Sequence, residues 1–330
     1  MSPMTHPLNP QFNQGTRLKE DQKGHKPYRG RFAPSPTGAL HLGSLTTALG
    51  SWLDARAHDG RWLVRIEDVD TPRTAPGADQ LILEQLKAYG LEWDEEPTWQ
   101  SKRTSVYQKG LDQLITKDLI YGCQCSRKQI EDVLHQAGIS MSPNQELIYP
   151  GTCREQHLSF ENHALRMRLP ENCVIDFVDQ GLGKQSQDLN HQVGDFVLRR
   201  ADGLFTYQLA VVVDDQAQGV THVVRGADLL SNTARQIHLQ CALGYETPHY
   251  LHLPLVTNTA GEKLSKQTQA AAIEMHSREI ILATLNRAAH YLGIADTTLA
   301  HQTSVAQWLG VATERWKDRL AKGWVAKVTC

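Results

Sequence analysis

The stretch that decides the fold is Arg31-Phe32-Ala33-Pro34-Ser35-Pro36-Thr37-Gly38-Ala39-Leu40-His41-Leu42-Gly43-Ser44. A short apolar segment leads into a Pro/Gly turn, after which an amphipathic helix is predicted to begin near His41. The predicted buried face of this helix consists of Leu42, Leu45, Leu49 and Leu53. A strand, a turn and then the start of a helix form an arrangement that can bind the phosphate of a nucleotide. The unpaired backbone N–H groups and the positive end of the helix dipole face the anion there. We expect His41 to add a donor, and Gly43 to let a phosphate or base approach the backbone.

Strand and helix signals alternate along the chain outward from this stretch. The predicted strands are 61–66, 205–213, 220–224 and 251–256, and the predicted helices are 78–89 and 105–117. The alternation predicts an α/β fold with a doubly wound parallel sheet. The predicted organisation is a mobile tail (1–27), a first half of the nucleotide-binding domain (28–119), an insert (120–204), a second half (205–256), and a loop with a helical C-terminal region (257–330).

A second motif lies downstream, in the polar segment Gly261-Glu262-Lys263-Leu264-Ser265-Lys266-Gln267. Two lysines three residues apart on a loop are suited to hold a polyphosphate, since each ammonium is a compact charge on a flexible stem. The alternative is an ordinary solvated loop, which most lysine-rich loops are. The two motifs in this order favour a nucleotide site.

Together the two motifs resemble the "HIGH" and "KMSKS" signatures of class I aminoacyl-tRNA synthetases. The lead-in 31–38 is similar to the glutamyl branch of that class, as are the segments 65–73, 207–215 and 224–230. The resemblance extends from about residue 28 to about 274, and it implies the Rossmann-like catalytic domain of the class. Ser44 stands where the first signature often has its second histidine, and the second signature reads Lys-Leu-Ser-Lys-Gln.

The resemblance implies a site for ATP, with magnesium on its phosphates, and for L-glutamate. It assigns glutamate binding to Arg31, Phe32, Ala33, Pro34, Ser35, Glu67, Tyr207 and Arg225, ATP binding to His41, Gly43, Lys263 and Lys266, and catalysis to His41 and Lys266. The assignment is chemically reasonable, because a guanidinium forms two parallel hydrogen bonds with a carboxylate. The alternatives are an ion pair between Arg31 and Glu67 and a core role for Tyr207. We expect the Asp214-Asp215 pair to form local hydrogen bonds near the pocket mouth, at the end of an apolar strand.

Three of the six cysteines are grouped in the predicted insert, at Cys123, Cys125 and Cys153, while Cys173, also in the insert, shows no partner pattern. Grouped cysteines of a cytosolic protein more often hold zinc than form disulfides, and a structural zinc site needs a fourth ligand. Chemistry alone favours His157, because imidazole is a common zinc ligand. The family resemblance instead implies Tyr149, and we follow it, with His157 and three free thiols as the alternatives.

Chain length narrows the resemblance within the glutamyl branch. Only about sixty residues follow Gln267, too few for the helical anticodon-binding domain of a full synthetase. We therefore expect that this chain has no such domain. In this respect it resembles the truncated glutamyl-Q tRNA(Asp) synthetases, which attach glutamate to the queuosine base of tRNA(Asp). The alternatives are a short glutamyl-tRNA synthetase that charges tRNA(Glu) and a catalytically silent RNA-binding paralogue.

Composition limits the other classes of function. The formal net charge of −2 gives no global attraction to RNA, so contacts with tRNA depend on local basic patches. No apolar run approaches the length of a membrane span, and the first 26 residues lack the apolar core of a signal peptide, so we expect a cytoplasmic protein. We also expect no obligatory protein partner.

One candidate patch for RNA contact mixes basic residues with indoles, at Arg315, Trp316, Lys317, Arg319, Lys322, Trp324 and Lys327. The same pattern is typical of an amphipathic helix that packs on its indoles.

Overall fold

The computed structural model of the chain describes residues 26–139, 146–257 and 271–323. The predicted mobile tail, apart from its last two residues, lies outside these ranges. So do the second signature with Lys263 and Lys266, and the C-terminal Trp324 and Lys327.

The described residues form ten strands and ten α-helices. The strands are β1 (Arg29–Phe32), β2 (Arg61–Ile66), β3 (Thr98–Trp99), β4 (Ile120–Cys123), β5 (Ala164–Met167), β6 (Val174–Asp179), β7 (Gly183–Asp188), β8 (Val197–Arg199), β9 (His222–Gly226) and β10 (His249–Leu253). The helices are α1 (Leu42–Ala57), α2 (Ala78–Ala88), α3 (Thr104–Thr116), α4 (Arg127–Gln136), α5 (Leu189–Gln192), α6 (Tyr207–Ala217), α7 (Leu230–Leu243), α8 (Arg278–Tyr291), α9 (Thr297–Ala300) and α10 (Val305–Ala321). Across the described ranges, none of these helices combines the length and apolar character that a bilayer span requires.

Two groups of parallel strands form the centre of the fold. β1 pairs with β2 and β2 with β3, while β9 pairs with β10 over its whole length. The two groups meet at β1, where the amide of Thr221, just before β9, donates to the carbonyl of Arg29 at 2.9 Å. The chain therefore starts in the middle and adds strands on both sides, as a doubly wound sheet requires. Since the strands run parallel, the carboxyl ends of β1, β2, β9 and β10 share one edge.

The predicted insert divides into two parts in the structure. β4, β5 and β8 form a separate antiparallel sheet. The hairpin of β6 and β7 instead extends the catalytic sheet, because β6 pairs in parallel with β10 at Asp179 and Tyr250. Part of the insert is therefore built into the nucleotide-binding domain.

Helix α1 supports the sheet as the sequence predicts. Its four predicted core leucines, Leu42, Leu45, Leu49 and Leu53, are all buried. On the same helix Asp54 is buried, and it accepts hydrogen bonds from the hydroxyl of Tyr28 at 2.6 Å and the indole of Trp316 at 2.9 Å. Because Trp316 is fully buried, it cannot stack on an RNA base. This part of the C-terminal patch is the packed face of α10.

The predicted strand 205–213 is wrong. Most of this stretch lies in helix α6, in which every residue from Gln208 to Asp215 is buried. An apolar run that is buried on all sides has no periodicity, and a buried helix cannot then be distinguished from a buried strand. The other sheet and helix predictions are confirmed, with shifts of up to three residues at their ends.

Candidate active site

A cavity of about 680 Å³ lies at the carboxyl ends of β1, β2, β9 and β10. In open α/β sheets this edge, where the strand order reverses, is the usual place for a ligand. Within the described ranges, all the residues predicted to contact glutamate or ATP line this cavity: Arg31, Phe32, Ala33, Pro34, Ser35, His41, Gly43, Glu67, Tyr207 and Arg225. The first signature and the segments around Glu67, Tyr207 and Arg225 thus meet in one place, although they are far apart along the chain.

His41 caps the amino end of α1 with its own side chain. Its Nδ1 accepts hydrogen bonds from the amides of Gly43 at 3.1 Å and Ser44 at 3.4 Å, while the Ser44 hydroxyl accepts from the His41 amide at 2.8 Å. The expectation of unpaired amides at this helix start is therefore wrong for Gly43 and Ser44. Because the lone pair of Nδ1 faces two amides, a neutral His41 carries its proton on Nε2. The ring then has one N–H donor, at Nε2.

Arg31 is buried and forms an ion pair with Asp215, which lies on α6. Its Nε and Nη2 donate to the two carboxylate oxygens at 3.1 and 3.3 Å. Within the described part of the chain, Nη1 of Arg31 makes no hydrogen bond. Since Arg31 lines the cavity, this nitrogen is available to a ligand. The expected alternative, an ion pair between Arg31 and Glu67, is not the one that forms. Glu67 pairs with Arg65 instead, at 3.4 Å.

Asp214 and Asp215 belong to a buried network of charges, and their expected position near the pocket mouth is wrong. Asp215 pairs with Arg65 at 2.8 Å as well as with Arg31. Asp214 is fully buried and accepts from the side chains of Gln100, Arg103 and Tyr107 at 2.6 to 3.0 Å. The pair forms hydrogen bonds as expected, but inside α6 and beneath the cavity. This position excludes them as an exposed acid–base dyad.

Glu67 is the acidic group of the cavity. It follows β2 directly, and its carboxyl is largely buried. Burial raises the pKa of Glu67 to about 7, against the opposing effects of Arg65 and Arg31. A buried carboxylate of this kind gains from a cationic ligand, which restores its ionised form.

Arg225, at the end of β9, is buried among neutral acceptors. Its Nε donates to His252, its Nη1 to Gln236 at 2.7 Å and Tyr207 at 3.4 Å, and its Nη2 to Thr233 at 2.8 Å and to the carbonyl of Leu229 at 3.4 Å. In the described ranges no carboxylate pairs with it. Since a buried charge is costly unless it is paired, Arg225 is ready for an anionic ligand.

Tyr207 stands between Arg225 and Glu67 at the start of α6. It lines the cavity, and its hydroxyl accepts from Arg225. Burial raises the pKa of Tyr207, so the phenol stays protonated and can donate in turn. This geometry gives it a place in the wall of the cavity rather than in the core alone.

The residues on either side of 258–270 lie at the same cavity. Val256 lines the cavity before this segment. After it, the amide of Ile273 donates to the carbonyl of Leu40 at 2.9 Å, and Ala272 forms a bridge with His41. The chain therefore leaves and re-enters the described structure beside the first signature.

A second cavity, of about 610 Å³, connects the first cavity with the insert. It shares Ser35, Glu67 and Tyr207 with the first cavity and reaches Cys125 and Arg127 at the other end. A molecule that enters from the insert side can therefore reach the groups that surround Glu67.

Cys123, Cys125 and Cys153 form a cluster whose ligand atoms lie within 4.8 Å of one another, the group of possible metal ligands found in the described ranges. The Tyr149 hydroxyl lies 3.3 Å from the Cys123 sulfur and 3.7 Å from that of Cys125, and it accepts from the amide of Cys153 at 2.9 Å. His157 is exposed and is not part of this group. The three thiols fit three of the four ligand positions of a tetrahedral zinc site, and the Tyr149 hydroxyl is the oxygen that lies beside them.

Sequence reasoning missed the buried polar groups that hold the arginines. His252 and Asp179 are fully or almost fully buried behind Arg225, as Asp215 and Arg65 are behind Arg31. A histidine inside the apolar run of β10 was the one local signal, since such a residue needs buried partners.

Comparisons with known proteins agree with this geometry. The sequence model of the family "tRNA synthetases class I (E and Q), catalytic domain" matches residues 28–287. A glutamyl-Q tRNA(Asp) synthetase of Cupriavidus metallidurans is 54% identical over 89% of this chain and 92% of that protein. One from Albidiferax ferrireducens is 53% identical, over 88% of this chain and 98% of that protein.

Solved structures of glutamate-tRNA synthetases have the same fold. The enzyme from Elizabethkingia anophelis superimposes with a TM-score of 0.73 at 26% identity, and the match covers 87% of this chain and 66% of that chain. The glutamate tRNA ligase from Elizabethkingia meningosepticum, solved in complex with its amino acid, gives 0.72 at 26% identity with the same coverage. The chain thus spans just under two thirds of the length of these two synthetases.

Proposed function

Because the chain belongs to the class I tRNA synthetases for glutamate and glutamine, we propose that it activates glutamate with ATP and transfers it to the queuosine base in the anticodon of tRNA(Asp). The relatives that share 53 to 54% identity and nearly their whole length with this chain carry the name of that activity. The observation that carries the proposal is the cavity in which the uncompensated Arg225 lies with Arg31, Glu67 and Tyr207.

Glutamate has two carboxylates and one ammonium, and the cavity offers a partner for each. Arg225 binds one carboxylate and the free Nη1 of Arg31 the other, since guanidinium groups form strong charge-assisted hydrogen bonds with carboxylates. Glu67 receives the ammonium. Ser35 and the Tyr207 hydroxyl supply further hydrogen bonds, and Phe32, Ala33 and Pro34 form the wall.

Activation proceeds by in-line attack of the glutamate α-carboxylate on the α-phosphate of ATP. The bond from the α-phosphate to the bridging oxygen breaks, and pyrophosphate leaves with its electrons. Negative charge shifts to the leaving group, so fixed donors near it lower the barrier. We assign this role to His41 Nε2 and to Lys266, and a supporting role to Lys263, while Gly43 gives room for the nucleotide. Magnesium is bound mainly through the phosphates and water.

Transfer needs no nucleophile from the protein. A hydroxyl of the queuosine cyclopentene ring attacks the carbonyl of the mixed anhydride. The bond from this carbonyl to the phosphate oxygen breaks, AMP leaves with its electrons, and the hydroxyl proton passes to solvent. The second cavity supports this step, because it leads from the insert to Glu67 and Tyr207. Positioning of the two reactants then supplies most of the rate enhancement.

We propose that Cys123, Cys125, Cys153 and Tyr149 hold one structural zinc ion. When bound, the ion cross-links the two ends of the 123–153 segment and takes no part in the reaction. Cys125→Ser is expected to lower the zinc content, measured by elemental analysis, from about one ion per chain to near zero. The matched control is Cys241→Ser, an exposed cysteine outside the cluster, which keeps its zinc. Equal zinc content in both variants would contradict the site.

The experiment that tests the function is transfer of labelled glutamate to purified tRNAs. We expect label on tRNA(Asp) that contains queuosine and none on tRNA(Asp) that lacks it. The bond formed to the base survives removal of the 3′-terminal adenosine of the tRNA, whereas a conventional aminoacyl ester does not.

Each other outcome points to one alternative. Label on tRNA(Glu) alone would identify a short translational synthetase. Absence of ATP–pyrophosphate exchange with glutamate, in the presence of tRNA, would identify a silent RNA-binding paralogue.

A further inference from the structure

The acceptor for Arg225 Nε comes from a chain of two buried residues. The ring of His252 lies on β10, and its Nε2 accepts from Arg225 at 3.1 Å. On the other side of the ring, Nδ1 lies 2.6 Å from a carboxylate oxygen of Asp179, the last residue of β6. Both side chains are completely shielded from water. The predicted insert therefore reaches Arg225 through a single histidine.

The carboxylate fixes the tautomer of the histidine. Asp179 only accepts hydrogen bonds when ionised, so Nδ1 carries the proton and Nε2 presents its lone pair to Arg225. Burial lowers the pKa of His252 despite the neighbouring Asp179, which keeps the ring neutral. The Thr233 hydroxyl, 3.3 Å away, approaches the same Nε2.

Asp179 is itself held rigidly by backbone amides. Its oxygens accept from the amides of Gly181, Leu182 and His252 at 2.9 to 3.2 Å. A side chain at Gly181 would lie 2.7 Å from the His252 carbonyl, so the hairpin turn can approach β10 only with glycine there. Although burial alone would raise the pKa of Asp179, the bonds from His252 hold it below its ordinary value. The carboxylate is thus ionised and fixed in place.

This arrangement orients Arg225 without neutralising it. A carboxylate in direct contact would align the guanidinium equally well but would cancel its charge. The neutral imidazole places the negative charge one ring width further away, where its attraction for the guanidinium is weaker. The positive charge therefore stays available to a ligand.

We propose that Asp179 and His252 are positioning residues that hold Arg225 in place for one of the two carboxylates of the substrate. The inference rests on the proposed function for the identity of that substrate. It makes the β6–β7 hairpin a part of the machinery that binds a substrate carboxylate.

The test uses Asp179→Asn, which keeps the shape of the side chain. The new amide donates to Nδ1, so the histidine proton moves to Nε2 and faces the N–H of Arg225. With its acceptor lost, Arg225 is expected to bind glutamate about tenfold more weakly or worse, since hydrogen bonds to charged groups are strong. In ATP–pyrophosphate exchange with tRNA present, the KM for glutamate rises, while the KM for ATP and kcat change less than threefold.

The matched control is Asp188→Asn on β7 of the same hairpin. Asp188 also pairs with a histidine, His191, at 2.8 Å, but this pair is exposed and far from Arg225. Its KM for glutamate is expected to equal that of the wild type. A glutamate KM that rises equally in both variants, or that rises together with the KM for ATP, would overturn the proposal.

A second measurement does not depend on activity. Nitrogen NMR of ring-labelled histidine, assigned through His252→Gln, reports which ring nitrogen carries the proton. The wild type is expected to have its bare nitrogen at Nε2, and Asp179→Asn at Nδ1. A wild-type proton on Nε2 would overturn the proposal even if the protein fails to activate glutamate, whereas failure of exchange in the wild type alone would count against the proposed function.

His252→Gln covers the case in which Asp179→Asn does not fold. Its amide oxygen can reach the place of Nε2 and accept from Arg225, so it should retain more affinity for glutamate than His252→Leu, which offers no acceptor. Equal glutamate KM values in these two variants would overturn the proposal.

Discussion

Two arginines line the same cavity and are held in opposite ways. Arg31 shares Asp215 with Arg65, in a network where the guanidinium groups of Arg31, Arg65 and Arg103 face the carboxyl groups of Glu67, Asp214 and Asp215. Arg225 has only neutral acceptors among the described residues. The first network balances its own charge, and the second leaves one positive charge for a ligand. A substitution of the buried carboxylates Asp214 or Asp215 in the first network should therefore affect stability, and one in the second should affect binding.

The largest expected effect is on stability, from a substitution in the charge network around Arg31 and Asp215. Asp215→Asn removes the charge that pairs with Arg31 and Arg65, and loss of one partner of a buried pair costs about 3–5 kcal/mol. We expect the free energy of unfolding, measured with urea, to fall by this amount. Glu95→Gln is the control, because Glu95 also pairs with two arginines, Arg29 and Arg61, but its own carboxylate is exposed to solvent. Equal losses in both variants would contradict the special cost of the buried network.

The next effect is on binding. Arg225→Gln removes the positive charge that faces the substrate, and loss of a paired charge-assisted interaction costs about 3 kcal/mol, or roughly a hundredfold in affinity. We expect the KM for glutamate in ATP–pyrophosphate exchange to rise by that factor, with a small change in the KM for ATP. An equal loss of affinity for both substrates would mean that Arg225 supports the cavity as a whole.

Gln236→Glu would make the environment of Arg225 like that of Arg31. The Gln236 side-chain oxygen accepts from Arg225 at 2.7 Å, so a carboxylate in its place would form a direct ion pair. We expect affinity for glutamate to fall about tenfold, because the arginine is no longer uncompensated. The free energy of unfolding should not decrease along with it. Unchanged affinity for glutamate would show that the net charge around Arg225 has no role in binding.

The smallest expected effect is on pH dependence. Glu67, with a pKa of about 7, must be ionised to bind the substrate ammonium, so the ionised fraction decreases as the pH falls. Between pH 8 and 6.5 we expect kcat/KM for glutamate to fall about fourfold, as the free-enzyme pKa requires. Glu67→Gln should be weakly active and should lack this dependence. A wild-type profile that is flat from pH 8 to 6 would contradict the assignment of the ammonium to Glu67.

The sequence predicts the cavity better than it predicts what supports it. Residues next to Gly and Pro signals, such as Ser35 and His41, could be placed because turns and helix starts have local signatures. The partner of Arg31 could not, since Asp215 is 184 positions away and lies in a run that reads equally well as strand or helix. Asp179 has no local signal either. Its role depends on a strand pairing that only the folded sheet creates.

The β6–β7 hairpin also has a consequence for the order of folding. Its two strands pair with each other locally, so they can form as soon as they leave the ribosome. Their place in the sheet, however, lies beyond β10, which is synthesised after α6, β9 and α7. Long-range strand pairing of this kind forms late, because the intervening chain must first be ordered. Arg225 therefore gains its acceptor on His252, backed by Asp179, only after β10 has paired with both β6 and β9.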